Sequence, residues 1–336
     1  MAKPDLDVVG IGNAIVDVLA KCDDAFLVSH SITKGGMVLI EEDQATQIYN
    51  AMSAMGECVE VSGGSAANSI ACIASLGGSG GFVGKVADDD LGRTFRKDLQ
   101  SHGVEFETTP LPEGGAGTGR CLINVTPDAE RSMMTFLGAA GDVSISDIDE
   151  DQIKRAKVIF FEGYMFEQPV AREAFVKACA IARSAGRKSA LTLSDTGCVD
   201  RQHEVLTSFI PNHVDILLAN EAEAQTLFET NKIDEIENRA RAMCPMTVVT
   251  LSAKGSLIIA RDQETVVVDA HPPTHLVDTT GAGDAYAAGF LFAIAKGYDL
   301  TIAGALGSIA ASEVISQMGP RPEQLLKTLA QKAGLL

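Results

Sequence analysis

Short runs of apolar residues recur along the chain at Val8–Ile11, Phe82–Val86, Val158–Phe161, Ala190–Leu193, Ile216–Ala219, Val248–Leu251 and Val266–Val268. Runs of this length read as buried strands. Longer stretches with helical character lie between several of them, at Asp89–His102, Val170–Ser184 and Glu221–Glu229. Strands that are apolar throughout and alternate with helices predict an α/β fold, a parallel sheet covered on both faces. From Ala282 onward the chain reads as a run of helices rich in Ala, Gly and Ile. Two regions break this rhythm, around Ser31–Glu60 and Glu105–Phe136. They hold shorter, alternating pieces such as Cys121–Val125 and Ser132–Phe136, separated by turns such as Gly114-Gly115-Ala116-Gly117. We expect a small β-rich lid (31–60 and 105–136) inserted into a main α/β domain (1–30, 61–104 and 137–336). A plain surface hairpin fits the pattern equally well.

Charge narrows the partners. With 45 acidic against 27 basic residues the formal charge is −18, a field that repels nucleic-acid backbones and anionic membrane surfaces. A phosphate ligand stays compatible, because backbone amides and a bound metal can hold it locally. Seven cysteines, Cys22, Cys58, Cys72, Cys121, Cys179, Cys198 and Cys244, form no C-x-x-C pair, and read as reduced, buried thiols. No apolar run approaches a membrane span, and Met1–Asp5 shows no basic-then-apolar leader, so the expected compartment is the cytoplasm.

Four segments carry candidate chemistry. In Asp278-Thr279-Thr280-Gly281-Ala282-Gly283-Asp284-Ala285, Gly281 and Gly283 allow a tight turn and a close ligand approach. The helix that follows offers unpaired N–H groups and a positive dipole end to a phosphoryl group. Asp284 beside that site could take the proton of an attacking hydroxyl, or equally cap the helix. In Ser62-Gly63-Gly64-Ser65-Ala66-Ala67-Asn68-Ser69, the Asn68 amide lies one turn beyond Gly64 and suits a sugar diol; a simple tight turn is the alternative. Gly10-x-Gly12 lacks the third glycine of a dinucleotide fingerprint, whose place Ile15 takes, and has no acid about twenty residues on. Asn13 and Asp17 instead stand as polar groups at a strand's carboxyl end. Asn220-Glu221-Ala222-Glu223 reads first as a capping box and second as an organiser of Mg²⁺ and its waters. Lys254-Gly255-Ser256 fits a hairpin.

Together these segments resemble the ribokinase-like (PfkB-type) family of carbohydrate and nucleoside kinases, over essentially the whole chain. The carriers are DTTGAGD at Asp278–Asp284, GGSAAN at Gly63–Asn68, the N-x-x-E element Asn220–Glu223, and Thr250-Leu251-Ser252-Ala253-Lys254-Gly255, in family order. The resemblance implies a three-layer α/β/α domain with a mostly parallel sheet and an inserted β lid. It implies Asp284 as general base and the amides of Gly281, Ala282, Gly283 and Asp284 as an anion hole. Asn13, Asp17, Gly63, Gly64, Ser65 and Asn68 would hold the acceptor. Thr250, Lys254 and Gly255 would lie on the ATP side, with Asn220 and Glu223 ordering Mg²⁺ through water. Arg131 would reach the phosphates, and Asp278 and Thr280 would border a K⁺ site.

Within the family the chain is most similar to the adenosine kinases, through Gly12–Asp17, GGSAANS and Arg131-Ser132 leading into Leu137–Ala140. That implies adenosine as acceptor, giving AMP and ADP, with an apolar slot for the base from Ile15, Cys121, Tyr164, Met165 and Phe166. Against it stand Cys198, near the place where a nucleoside kinase would set an aromatic against the base, and an aromatic content of 5% with no Trp. Another purine nucleoside, ribose, fructose or a related sugar therefore stays open, as does a non-catalytic metabolite sensor. Relatives are monomers or homodimers through the lid.

Overall fold

The computed structural model describes residues 5–336 apart from Glu57, Glu113 and Ala129; the Met1–Pro4 part of the leader reading lies outside them. Among the described residues thirteen strands run β1 (Leu6–Ile11), β2 (Ile15–Lys21), β3 (Met37–Leu39), β4 (Val59–Gly63), β5 (Gly80–Val83), β6 (Gly119–Val125), β7 (Arg131–Phe136), β8 (Ala156–Glu162), β9 (Lys188–Thr192), β10 (Ile216–Asn220), β11 (Met246–Thr250), β12 (Ser256–Ala260) and β13 (Val266–Val268). Eight form the main sheet in the order β13-β12-β11-β10-β9-β8-β1-β5. From β5 to β11 every pairing is parallel; β12 and β13 close the edge antiparallel.

Alternate residues of each strand feed opposite faces, as the pleat requires. Val8, Val158, Phe160, Leu218, Val248 and Ile258 pack towards helices Ser65–Ser75, Ala282–Lys296 and Leu300–Val314. Val9, Ile159, Phe161, Leu191, Leu217 and Ile259 pack towards Pro169–Ser184, His203–His213 and Ile233–Met243. This is the three-layer α/β/α arrangement expected of a ribokinase-like fold. No helix among the described residues is long and apolar enough to cross a membrane.

The second sheet has the order β3-β7-β6-β2-β4. One face is covered by helix Glu42–Met55, whose Ala45, Ile48 and Met52 join Val16, Val18, Leu122 and Met134 in the core. That helix lies inside a region expected to be β-rich. Its charged and polar residues hide a three-position apolar stripe that does not stand out as a run. Strand β2, placed with the main domain by the sequence, belongs to the second sheet, because the chain crosses over directly after Asn13. The opposite face of this sheet carries Asp17, Cys121 and Thr135 in register, and it turns towards the main domain through Arg131.

Candidate active site

Asn13, Glu162, Asn220 and Thr250 stand at or just beyond the carboxyl ends of parallel strands, the edge where open α/β sheets bind ligands. Across that edge lie the amino ends of two helices. The first is Ser65–Ser75, entered through Gly63 and Gly64. Gly64 has φ 93°, and a Cβ on it would overlap the Asn13 carbonyl oxygen; a Cβ on Gly63 would sit 2.5 Å from Asp17 Oδ2. The glycine pair is thus what lets helix Ser65–Ser75 begin against β2.

The second helix is Ala282–Lys296, entered through Gly281 with φ 77°. Its first turn leaves the N–H groups of Gly283 and Asp284 without backbone partners among the described residues. The Ala282 N–H instead donates to Thr279 O at 3.2 Å, within the turn itself, which removes it from the expected anion hole. Gly283 is exposed, and a Cβ on it would meet nothing within 4 Å, so the protein's own packing does not demand glycine there. Open space and free donors together suit an anion.

Asp284 joins the two helices. Ser65 Oγ donates to its Oδ1 at 2.6 Å, Asn68 Nδ2 to its Oδ2 at 3.2 Å, and Ser69 Oγ to its backbone oxygen at 3.0 Å. Burial pushes the Asp284 carboxyl above the usual carboxylate range, while the Ser65 and Asn68 donors pull it back. Its bonds run to another helix's side chains, so it is no mere cap of its own helix.

Asp17 faces the same space from the second sheet. Burial pushes its carboxyl up to about 7; Arg321 and then Arg131 lower it, and Asp284 raises it. Asn13 is buried at 4% exposure, and both its backbone N–H (2.9 Å) and its Nδ2 (2.6 Å) donate to Glu162 Oε1. Glu162 Oε2 also accepts from the Ala66 N–H at 2.9 Å. This acid, 1% exposed, is pushed up to about 7 by burial against those donors. It locks the β1 crossover to helix Ser65–Ser75, and the sequence reading missed it. A lone acid ending an apolar run is the only trace it leaves.

On the other flank, Asn220 and Glu223 form a full capping box: Asn220 N–H to Glu223 Oε2 at 2.9 Å, Asn220 Nδ2 to Oε1 at 2.7 Å, and Glu223 N–H to Asn220 Oδ1 at 2.9 Å. Burial first, then Asp195 and Asp284, push Glu223 up to about 7. Among the described residues no three His, Cys, Asp or Glu side chains cluster to hold a metal. The arrangement fits Mg²⁺ only as an ion carried in with phosphates and water, which is its usual mode. Thr250 Oγ1 turns back to Ala219 O at 3.5 Å, and Lys254 is exposed. Gly255, at φ 88°, makes the β11–β12 hairpin, where a Cβ would overlap the Val268 carbonyl oxygen.

Arg131 at the start of β7 meets the turn before Asp284. Its Nη2 lies 2.7 Å from Asp278 Oδ2, and its Nη1 donates to Thr280 Oγ1 at 3.2 Å. Asp278 Oδ1 also accepts from the Thr280 N–H (3.0 Å) and Oγ–H (2.8 Å), and Oδ2 from the Gly319 N–H (3.0 Å). A carboxylate so fully engaged, with a guanidinium already on it, does not fit the expected monovalent-cation site.

The expected apolar slot is only partly assembled. Ile15 and Cys121 share the open face of the second sheet with Asp17, and burial pushes the Cys121 thiol up to about 12. Tyr164 is partly buried, its hydroxyl 3.3 Å from Ser194 O, and burial followed by Asp195 and Asp284 raises its phenol. Met165 and Phe166 leave the slot altogether. They are 1% and 0% exposed, and Phe166 packs on Phe175 and Phe209 with ring centres 5.3 and 5.0 Å away, so they serve the core.

The model of the "pfkB family carbohydrate kinase" matches residues 29–326. The crystal structure of adenosine kinase from Sinorhizobium meliloti is 45% identical with a TM-score of 0.89, covering 98% of this chain and 99% of its own. A probable sugar kinase from Rhizobium etli is 41% identical with a TM-score of 0.90, covering 99% and 100%. The 5-dehydro-2-deoxygluconokinase of Geobacillus kaustophilus is 28% identical over 283 residues, 81% of this chain and 84% of that protein. The chain belongs to the pfkB family of carbohydrate kinases, ATP-using phosphotransferases with an alcohol group as acceptor.

Proposed function

We propose that the protein phosphorylates the 5′-hydroxymethyl group of adenosine, giving AMP and ADP. The observation that carries the reading is the placement of Asp284: its carboxylate is tied to the acceptor helix through Ser65 and Asn68, and it stands one residue after the open Gly283 amide. The acceptor hydroxyl gives its proton to an Asp284 carboxylate oxygen as its own oxygen bonds to the γ-phosphorus. The bond from that phosphorus to the β–γ bridging oxygen breaks, and the electron pair leaves with ADP. The Gly283 and Asp284 N–H groups stabilise charge on the transferred group, at the helix's positive end. Mg²⁺, when bound with the nucleotide, neutralises phosphate charge, with Asn220 and Glu223 holding its water and Arg131 near the phosphates. Asp17, beside Gly63 and Gly64, takes the ring hydroxyls. The second sheet excludes water from the transfer.

The second reading, a sugar kinase, is favoured by one observation: Met165 and Phe166 pack inside, which thins the slot for a base. Names borne by relatives point both ways. ADP release with MgATP against adenosine, inosine, guanosine, ribose, fructose and 5-dehydro-2-deoxygluconate, with the product identified, separates the two. A large kcat/KM preference for adenosine supports the proposal. Preference for a free sugar overturns the acceptor and keeps the machinery.

A further inference from the structure

The loop Met318–Pro322, beyond helix Leu300–Val314, carries none of the motifs read from the sequence, yet it touches both halves of the site. The Gly319 N–H holds Asp278 Oδ2. Pro320 lies so close to Gly281 that a Cβ there would be 2.7 Å from the proline Cα. Arg321 then reaches the acceptor helix. Its Nε donates to Asn68 Oδ1 at 3.3 Å, and its Nη1 pairs with Asp98 in helix Asp90–Ser101. The Arg321 side chain is 12% exposed, and its Nη2 is buried without a partner among the described residues.

A side-chain amide has one accepting and one donating end. With Oδ1 taken by Arg321, Asn68 can present only its NH₂ to Asp284. Were Arg321 absent, only the Asp284 carboxylate would hold the amide this way round, and on the turned amide the oxygen would oppose that carboxylate. Arg321 suits this task better than a point cation, because a guanidinium fork can hold Asp98 with one nitrogen and Asn68 with another. We propose that Arg321 is a positioning residue, which fixes the Asn68 amide with its NH₂ towards Asp284 and so sets the acceptor end of the site. Asp98 keeps the guanidinium in place, and the loop ties this setting to the turn that carries the anion hole.

The kinetic part of the test rests on the proposed reaction; the spectroscopic part does not. By NMR of the asparagine side-chain amides, the Asn68 pair is assigned by its disappearance in Asn68→Ala, with the Asn13 pair, held by Glu162, as internal control. Arg321→Ala should move the Asn68 pair and leave that of Asn13 in place. In kinetics with MgATP and adenosine, or the acceptor the panel selects, it should raise the acceptor KM about tenfold with the ATP KM within about twofold. In an Asn68→Ala background the same change should cost less than about twofold in kcat/KM, since its effect travels through Asn68. Arg321→Lys keeps a cation for Asp98, so it should restore folding without restoring the acceptor KM. An unmoved Asn68 amide, an equal rise of both KM values, or an equal loss in both backgrounds overturns the role. If the wild-type protein phosphorylates none of the acceptors, the proposed reaction falls, and the amide shift alone decides the role of Arg321.

Discussion

Replacing Asp284 by asparagine removes a proton acceptor and keeps the shape of the site. The carboxylate takes one donor on each oxygen, from Ser65 at 2.6 Å and Asn68 at 3.2 Å. The new amide keeps its oxygen for the Asn68 NH₂, and the Ser65 hydroxyl, free to rotate, accepts from the amide's own NH₂. The Ser65 O–H loses its acceptor, but Ser65 is only half-buried and its hydroxyl can turn to water. Burial raises the Asp284 carboxyl, which means that the folded environment disfavours its charge; a neutral replacement should leave stability equal or higher. Activity should move the other way. Loss of a general base costs about a hundred- to ten-thousandfold in kcat, or about 3 to 5 kcal/mol of barrier at 1.36 kcal/mol per decade. Both KM values should stay within a few fold, because the hydrogen bonds survive. ADP release with product identification reads the rate, and thermal unfolding reads the stability. A kcat within about tenfold of wild type would refute Asp284 as base. A fall in Tm would show that the carboxylate is there for the fold.

Two glycines that look alike in the sequence should behave oppositely. Gly283→Ala meets no protein atom within 4 Å and should leave Tm unchanged or higher while kcat/KM for MgATP falls at least about tenfold; unchanged activity would mean that the open space is not a phosphate site. Gly64→Ala, forced to φ 93° against the Asn13 carbonyl, should lower Tm markedly, and a wild-type Tm would refute the close approach. The ligand-free protein should also lose stability as pH rises from about 4.5 to about 7, since Asp17, Glu162 and Glu223 hold protons in the folded state that the unfolded chain has already released. Asp7, Asp89 and Asp278 have lowered pKa values, so their stabilisation is complete below this window and does not offset the loss. Urea unfolding at several pH values checks this; stability that rises across the window would contradict it.

What the sequence makes legible follows the range of the interactions. The parallel strands and the glycine turns are local: Val158–Phe161 is apolar because both its faces are covered, and Gly64 is glycine because its own φ is positive. Asp284 is legible because its signature is contiguous. Glu162 and Arg321 are invisible for the opposite reason. Each does its work on residues far along the chain, Asn13 and Ala66 for one, Asn68 and Asp98 for the other, and no motif beside either of them marks it. Met165 and Phe166 mislead because an apolar triplet after a strand looks the same whether it faces a ligand or the core. Helix Glu42–Met55 shows too little apolar surface to break the strand-like reading around it.

The charge balance of the site explains why these distant arginines are needed at all. Asp17, Glu162, Glu223 and Asp284 converge on one strand edge of an already acidic protein, and each carboxyl is raised by burial. Such a cluster holds its protons near neutrality, and a protonated Asp284 could take none from an acceptor; the Ser65 and Asn68 donors, which pull the Asp284 carboxyl back, oppose this. Arg131 comes from the second sheet and Arg321 from the loop after the last long helix, and both lower the Asp17 carboxyl, by less than burial raises it. Each guanidinium is also paired with an aspartate outside the cluster, Asp278 for Arg131 and Asp98 for Arg321, so neither is free to collapse onto Asp284. The site thus gives each cation a partner of its own, and that separation leaves Asp284 open, as the proposed base must be.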